Sequence, residues 1–385
     1  MSNKKLKNVL ISAGGTAGHV FPAIEVAKEF CSRGYFIFFV TDRRMYDFVK
    51  KQPNFINKNI KLFCYRGKGF QRKNILQNCL SFVSLLSGLF QSFAYLIFNR
   101  PAIAIGFGGY ITVPVLFACY ILKIKVFIHE GNAILGKANK LLYRISKKLM
   151  THFVKLEENG DKNFNYTCVG MPVRKEIVDL NKFNYTKIKN KTINILITGG
   201  SLGAEIMAFK IANTIIRFSP ELKIKLSIVQ QVRRENFSEL KKIYDKNNIN
   251  AELEIFIKNM AKYLKWADLI ICRCGAGTLA ENLIVGKPAV MIPLANSADN
   301  HQLYNAKLAE DRGVGWVITE EELENFTEIK NKLEYIIINI EKFKKTSEIK
   351  KQKVILDSAS RIADITSSYI TLTKESRERN DTVHS

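Results

Sequence analysis

The sequence predicts an α/β protein of two Rossmann-like domains facing one another across a cleft, and three observations carry that expectation. The opening NVLISAGGTAGHVFPAIEVAKEF has a counterpart at INILITGGSLGAEIMAFKIANTI, with Gly14-Gly15 aligned on Gly199-Gly200. Each copy reads as an apolar strand, a Gly-Gly-hydroxyl turn and a helix, the β-loop-α unit that opens a nucleotide-binding sheet. The chain is 385 residues long, more than a single core ordinarily fills. Apolar runs also alternate with helical patterns along both halves, which implies parallel sheets covered on both faces and ligands at the carboxyl ends of the strands.

Taken in order, the first half predicts strands at residues 9–11, 35–40, 102–105 and 125–129, and the second half adds 223–229, 268–272 and 289–293. The uncharged stretch Ile75–Phe98 is long enough to span a bilayer. However, Gln77, Ser81, Ser84, Gly88, Gln91 and Tyr95 recur at spacings of three and four and trace a polar stripe. The other faces carry Leu76, Leu80, Val83, Leu86, Phe90 and Ile97. The expectation is an amphipathic helix docked on the sheet, with a membrane-facing patch as the second reading and a span as the third. The polar run 171–191 carries no convincing strand and suggests a boundary. The expected organisation is therefore a first domain over 1–170 and a second over 171–345. A terminal helix over 346–372 packs back toward the first domain, and 373–385 is a frayed tail.

A composition of 47% hydrophobic and 24% charged residues describes a soluble globular chain rather than a disordered or multi-span one. The net charge of +24 favours an anionic partner, although drift toward Lys, Ile and Asn would also produce it. The Lys residues are dispersed, without RNP-like aromatics or Cys/His finger spacing, which argues against nucleic acid. Seven cysteines with no CxxC pair suggest reduced thiols, and MSNKKLKNVLIS has no apolar core of a signal peptide.

The glycines of Gly14-Gly15-Thr16-Ala17-Gly18-His19 allow backbone N–H groups to approach a phosphate at a helix N-terminus. That position favours the neutral imidazole, so His19 is either a base for a hydroxyl or a ring that ties down the turn. The turn GFGGYITVP offers a second cradle at Gly108, Gly109 and Tyr110, and two such loops in one domain suit a diphosphate. In HEGNAILGKANK, Glu130 is a base or a buried structural acceptor, and Asn132 suits a sugar hydroxyl. In CRCGAGTLAENLIVG, Gly275 and Gly277 open a helix on which Glu281 can hold a ribose or complement the helix dipole. Cys272 and Cys274 lack metal-ligand company and read as structural. Gln302, at the head of the ADNHQLYNA helix, can reach a sugar. No DxD is present, so a metal-chelated diphosphate is not indicated, and helix dipoles, backbone N–H groups and Arg174 would meet the leaving charge. Asp42, Arg43 and Arg44 keep an NADP-dependent oxidoreductase as a rival, because an acid at the end of the second strand suits a ribose.

Together GGTAGHVFPA, GFGGYITVP, HEGNAILGKANK, VGMPVR, TGGSLGA, FIKNM, RCGAGTLAE and ADNHQLYNA resemble the MurG family over residues 6–345. The resemblance implies a GT-B fold and an inverting UDP-GlcNAc-dependent hexosyltransferase. It would move N-acetylglucosamine to the C4 hydroxyl of undecaprenyl-diphospho-MurNAc-pentapeptide (lipid I), forming lipid II in peptidoglycan biosynthesis and so serving cell-wall biogenesis, cell shape and division. A GT-B enzyme with another acceptor is the alternative from the same fold. No cofactor is implied beyond the donor substrate.

By the same resemblance Thr16, Ala17 and Gly18 would line the donor cleft, Asn132 would contact the N-acetylglucosamine, and Arg174 and Ser201 would approach the diphosphate. Ile257 would hold uracil through its backbone. Ala276, Gly277, Thr278, Leu279, Ala280 and Glu281 would bind diphosphate and ribose, and Gln302 would touch the sugar. Gly108, Gly109 and Tyr110 would meet the acceptor diphosphate. His19 is the candidate base, with Glu130 its competitor. Gly131, Met171 and His301 depart from the residues common in the family, Gln, Asn and a second Gln. A lipid acceptor implies a peripheral protein on the cytoplasmic face of the inner membrane. The helix of 75–98, ringed by Lys68, Arg72, Lys73 and Arg100, would meet anionic lipid, and other cell-wall synthesis proteins would be further partners.

Overall fold

The computed structural model describes residues 7–52, 55, 58–65, 75–153, 156, 164–183, 192–199, 205–351 and 354–381, with 75–85, 349–351 and 371–381 as backbone alone. Two compact units form, Met1–Val173 with Asp357–Ser385, and Arg174–Leu356. The first runs β1 (Asn8–Ser12), α1 (Ala17–Ser32), β2 (Phe36–Asp42), α2 (Arg43–Lys50), β3 (Ile60–Tyr65), α3 (Ile75–Phe98), β4 (Ile103–Gly106), α4 (Thr112–Ile121), β5 (Lys125–Glu130), α5 (Lys137–Tyr143), β6 (Lys148–Thr151) and β7 (Tyr166–Cys168). The second runs α6 (Lys175–Val178), β8 (Ile193–Thr198), α7 (Glu205–Ile215), α8 (Pro220–Lys223), β9 (Leu226–Gln231), α9 (Phe237–Lys246), β10 (Asn250–Glu254), α10 (Met260–Trp266), β11 (Leu269–Cys272), α11 (Ala276–Val285), β12 (Ala289–Met291), α12 (His301–Asp311), β13 (Gly315–Val317), α13 (Phe326–Ile338) and α14 (Ile340–Lys351). Helix α15 (Ser358–Asp381) returns to the first unit.

The sheets are parallel throughout, in the orders β3-β2-β1-β4-β5-β6-β7 and β10-β9-β8-β11-β12-β13. Winding therefore reverses between β1 and β4, and again between β8 and β11, where the loops after adjacent strands part and leave room for a ligand. Central strands buried on both faces read as continuous apolar runs, as Val9, Leu10 and Ile11 do in β1. Helix α1 covers one face of that sheet with Val20, Ala23, Ile24, Ala27 and Phe30, and Ile362, Ala363 and Ile370 of α15 complete the same core. Arg33 ties the two helices, donating to Asp364 Oδ1 at 2.5 Å and Ser360 Oγ at 2.7 Å.

Three expectations change. Strand β9 starts at Leu226 instead of 223, because Ser219 caps the short helix α8, its Oγ accepting from Leu222 N at 3.3 Å. Helix α3 docks by a mixed face, in which Gly88 and Tyr95 of the polar stripe sit with Ser92 and the buried Leu96. Gly88 and Ser92 are buried, and a Cβ on Gly88 would fall 1.5 Å from the Tyr65 hydroxyl, so glycine is what permits the approach. Ser92 Oγ donates back to Gly88 O at 2.7 Å, and Tyr95 stacks on Phe63 with ring centroids 4.3 Å apart. Phe90 and Ile97 are left 73% and 66% exposed. The terminal helical stretch is also broken into α14 and α15, and the α15 backbone runs to Asp381 through residues expected to fray.

Candidate active site

In the first unit the loops after β1 and β4 meet around one peptide, the one joining Gly14 to Gly15. Its N–H donates to Asp42 Oδ2 at 2.6 Å and its carbonyl accepts from His19 Nδ1 at 3.0 Å. Gly15 has φ +84°, which turns this peptide plane toward both partners. A Cβ on Gly109 would lie 2.4 Å from the Gly14 oxygen, so only glycine at 109 lets the second loop close on the first. The His19 ring lies against Gly108, where a Cβ would approach Nε2 to 3.1 Å. Since a carbonyl only accepts, Nδ1 carries the proton in this bond, which in the neutral form of the ring places the lone pair on Nε2. Thr16 and Gly18 are exposed beside the ring, and Ala17 is buried.

Asp42 does not offer a ribose-binding carboxylate. It is buried beneath the glycine turn, one oxygen taken by Gly15 N and the other capping α2 by accepting from Met45 N at 3.0 Å. Arg44 stands 3.6 Å from Oδ2 with its guanidinium 5.7 Å above the Tyr110 ring, and burial with the Asp42 charge raises the Tyr110 hydroxyl pKa.

Glu130, the competing base, is buried at the end of β5. It accepts four N–H groups: Asn132 N at 3.0 Å, Asn132 Nδ2 at 2.9 Å, Gly136 N at 2.9 Å and Asn139 Nδ2 at 2.9 Å. A carboxylate whose two oxygens are engaged this way organises the loop 131–139, which favours the structural acceptor of its two readings. Asn132 is held by the same carboxylate. The neighbouring His129 donates Nε2–H to Gly170 O at 3.0 Å, and burial lowers its pKa.

In the second unit the loop after β11 opens α11. A Cβ at Gly275 or Gly277 would meet nothing within 4 Å, so the space over the first turn is open, while Leu279 and Ala280 turn into the core and offer only backbone. Glu281 pairs with Arg174, Oε1 to Nη2, at 2.9 Å, where the sequence suggests a guanidinium directed at a diphosphate. Burial raises the Glu281 pKa, and Arg174 opposes the shift. Ile257, just beyond the carboxyl end of β10, is buried beside the exposed Phe256. Ser201 lies outside the described residues.

Gln302 is tethered as well as exposed in part: its Oε1 accepts from Cys274 N at 3.3 Å and Leu294 N at 3.0 Å. One helical turn on, the buried Asn305 donates Nδ2 to Cys274 O at 3.0 Å, so α12 grips both sides of the loop that leads into α11. Arg273 braces that loop from below, donating Nη1 to Pro293 O at 3.2 Å and pairing with Glu320. Sequence reading missed Asn305, Arg273 and Glu320; the Gln302-to-Asn305 spacing on one helix face was the available signal for the first. Burial pushes the Cys272 thiol up to about 12 and raises Cys274 as well, in keeping with structural cysteines.

Two parallel sheets wound in this order, each with a glycine-lined helix start at its switch point, together with the matches that follow, define a glycosyltransferase of the GT-B fold. Residues 9–151 match the glycosyltransferase family 28 N-terminal domain and residues 194–362 its C-terminal domain. Relatives named UDP-N-acetylglucosamine--N-acetylmuramyl-(pentapeptide) pyrophosphoryl-undecaprenol N-acetylglucosamine transferase include those of Rickettsia bellii and Rhodospirillum rubrum. The first is 36% identical over 83% of this chain and 87% of its own, the second 32% over 81% and 79%. The crystal structure of MurG from Acinetobacter baumannii superposes with a TM-score of 0.71 at 27% identity, covering 93% of this chain and 98% of that one. A UDP-glucosyltransferase from Polygonum tinctorium, 13% identical with a TM-score of 0.67 over 94% and 99% of the two chains, shares the fold. The chain belongs to the MurG family.

Proposed function

We propose that the protein transfers N-acetylglucosamine from UDP-GlcNAc to the C4 hydroxyl of lipid I, with inversion, to form lipid II. The observation that supports this reading best is the His19 ring, held through Nδ1 at the first switch point with Nε2 as its basic nitrogen. In the reaction the acceptor oxygen attacks C1 of the sugar, the bond from C1 to the UDP oxygen breaks, and UDP leaves with the electron pair. The hydroxyl proton passes to His19 Nε2. The Gly108, Gly109 and Tyr110 loop receives the acceptor diphosphate. Thr16, Ala17, Gly18 and Asn132 border the sugar, with Asn132 oriented by Glu130.

The nucleotide sits on α11, where the open first turn presents N–H groups and dipole to the diphosphate and Glu281 accepts the ribose hydroxyls. Arg174 is then released to the diphosphate. Ile257 frames uracil and Gln302 reaches the sugar, while Ser201 belongs to the same site by its motif.

The acceptor is reached from the cytoplasmic face of the inner membrane. The apolar surface formed by Phe90, Ile97 and Phe98 of α3 with Tyr120 and Ile121 of α4, beside the exposed Arg100, supports peripheral docking on anionic lipid. Lys68, Arg72 and Lys73 of the expected basic ring lie outside the described residues. Among the described helices none is long and apolar enough to cross a membrane.

UDP release from UDP-GlcNAc, measured with and without a lipid I analogue in detergent, tests the activity. Acceptor-dependent release is expected. His19→Ala should lower kcat by about 10²-fold or more with little change in UDP affinity, and Glu281→Ala should weaken UDP binding. No release with a competent acceptor would overturn the reading.

A further inference from the structure

We propose that Asp42 is a positioning residue for the base: through the single peptide between Gly14 and Gly15 it sets the tautomer of His19 and raises the basicity of Nε2. The inference rests on His19 being the base. The N–H and the carbonyl of that peptide face opposite ways in one plane, the first bonded to Asp42 Oδ2 at 2.6 Å and the second to His19 Nδ1 at 3.0 Å. A carboxylate accepting from an amide N–H polarises the amide toward its oxygen, and hydrogen bonds in such a chain strengthen one another by about 10–30% each. A better acceptor at Nδ1–H leaves more electron density on Nε2 and stabilises the imidazolium formed when the acceptor proton arrives.

The same carboxylate blocks rotation of the peptide, because a flip would turn the Gly14 oxygen onto Asp42. The arrangement is rigid. Asp42 is buried and its second oxygen caps α2 at Met45 N. Gly14 Cα leaves no room for a side chain, since a Cβ would fall 2.9 Å from Oδ2, and Gly109 backs onto the carbonyl. The other charged or titratable groups facing the pair are His129 of β5 with Glu130 beside it, Arg44 of α2 at 3.6 Å from Oδ2, and Tyr110 of the loop after β4. The bond from Gly15 N makes Asp42 the carboxylate that polarises the Gly14–Gly15 peptide.

The full chain, assayed with UDP-GlcNAc and a lipid I analogue in detergent, is compared as wild type, Asp42→Asn, His19→Ala and the double variant. The readouts are kcat and KM against pH and the ¹⁵N signature of the His19 ring. Asp42→Asn is expected to lower kcat about tenfold or more with KM for UDP-GlcNAc within about threefold, and to move the acid limb of kcat to lower pH. It should also take the ring out of a single Nδ1–H tautomer. Asp42→Glu, which keeps a carboxylate, should recover part of the limb. Where Asp42→Asn does not fold, Asp42→Ser, which leaves a short acceptor for the α2 cap, is read the same way. In the double variant the Asp42 change should cost nothing beyond His19→Ala. Additive losses, an unmoved acid limb or an unchanged tautomer would overturn the inference and leave the base in place. A His19→Ala protein with wild-type kcat would remove the base first, and the inference with it.

Discussion

At the residue scale, Glu281, the proposed ribose ligand, is held where its charge is disfavoured. Burial at the head of α11 raises its pKa above the usual 4.5, and the Arg174 guanidinium at 2.9 Å opposes that shift without cancelling it. A carboxyl with a raised folded-state pKa contributes stability that is complete below its unfolded pKa and is lost as pH rises through the folded one. Ionisation of Glu281 therefore weighs against the folded state near neutrality. Glu281→Gln removes this titration, so the difference in Tm between variant and wild type should move in favour of the variant as pH rises from about 4 to 7, while UDP affinity falls. Thermal unfolding across that range, with titration of UDP at pH 7, checks both halves. The buried carboxylates of Asp42 and Glu130 contrast with it: each is met by backbone or amide N–H donors and holds a loop in place.

At the scale of elements, α15 is held to α1 by packing more than by charge. Arg33 and Asp364 are 26% and 65% exposed in their side chains, and an ion pair that open to water contributes at most about 1 kcal/mol. Ile362 is fully buried in the core it shares with α1. Ile362→Ala should cost about 2–5 kcal/mol and Arg33→Ala about 1 kcal/mol or less, read as midpoint shifts in urea unfolding. Helix α3 makes the same point from the other side. Gly88 and Ser92 face inward beside the buried Leu96 because Tyr65 needs the space at Gly88, while Phe90, Ile97 and Phe98 are left facing water. Periodicity in the sequence located the stripe but could not say which side was inward, since the partner surface is built by β2 and β3. Strands β3, β6, β7, β10 and β13 went unread for a related reason. They are short or partly exposed, and their pairing is decided by neighbours distant in the chain.

At the scale of the whole molecule, the proposed docking on lipid would draw on both the net charge of +24 and the exposed apolar residues of α3 and α4. Attraction to anionic lipid is screened over about 10 Å at 0.1 M salt, whereas apolar insertion is not. Binding to vesicles containing anionic lipid should therefore weaken steeply with salt, and Phe90→Ser with Ile97→Ser should reduce the salt-resistant part. Sedimentation with vesicles at low and high salt separates the two. Equal binding by the variant at high salt would show that this surface does not insert.

The sequence by itself determined the class of fold, the doubled β-loop-α opening and the family, because glycine spacing and apolar runs are local and survive without knowledge of neighbours. The glycine loops that carry the candidate site residues were legible for that reason. The tertiary structure decided what those residues do to one another. It made Asp42 the partner of a glycine peptide, set Glu130 to hold the loop 131–139, paired Arg174 with Glu281, and brought Asn305 to the carbonyl of Cys274. Each of these bonds joins different segments of the chain or depends on burial, and a side chain's capacity to accept or donate acquires a direction only when the partner's position is known.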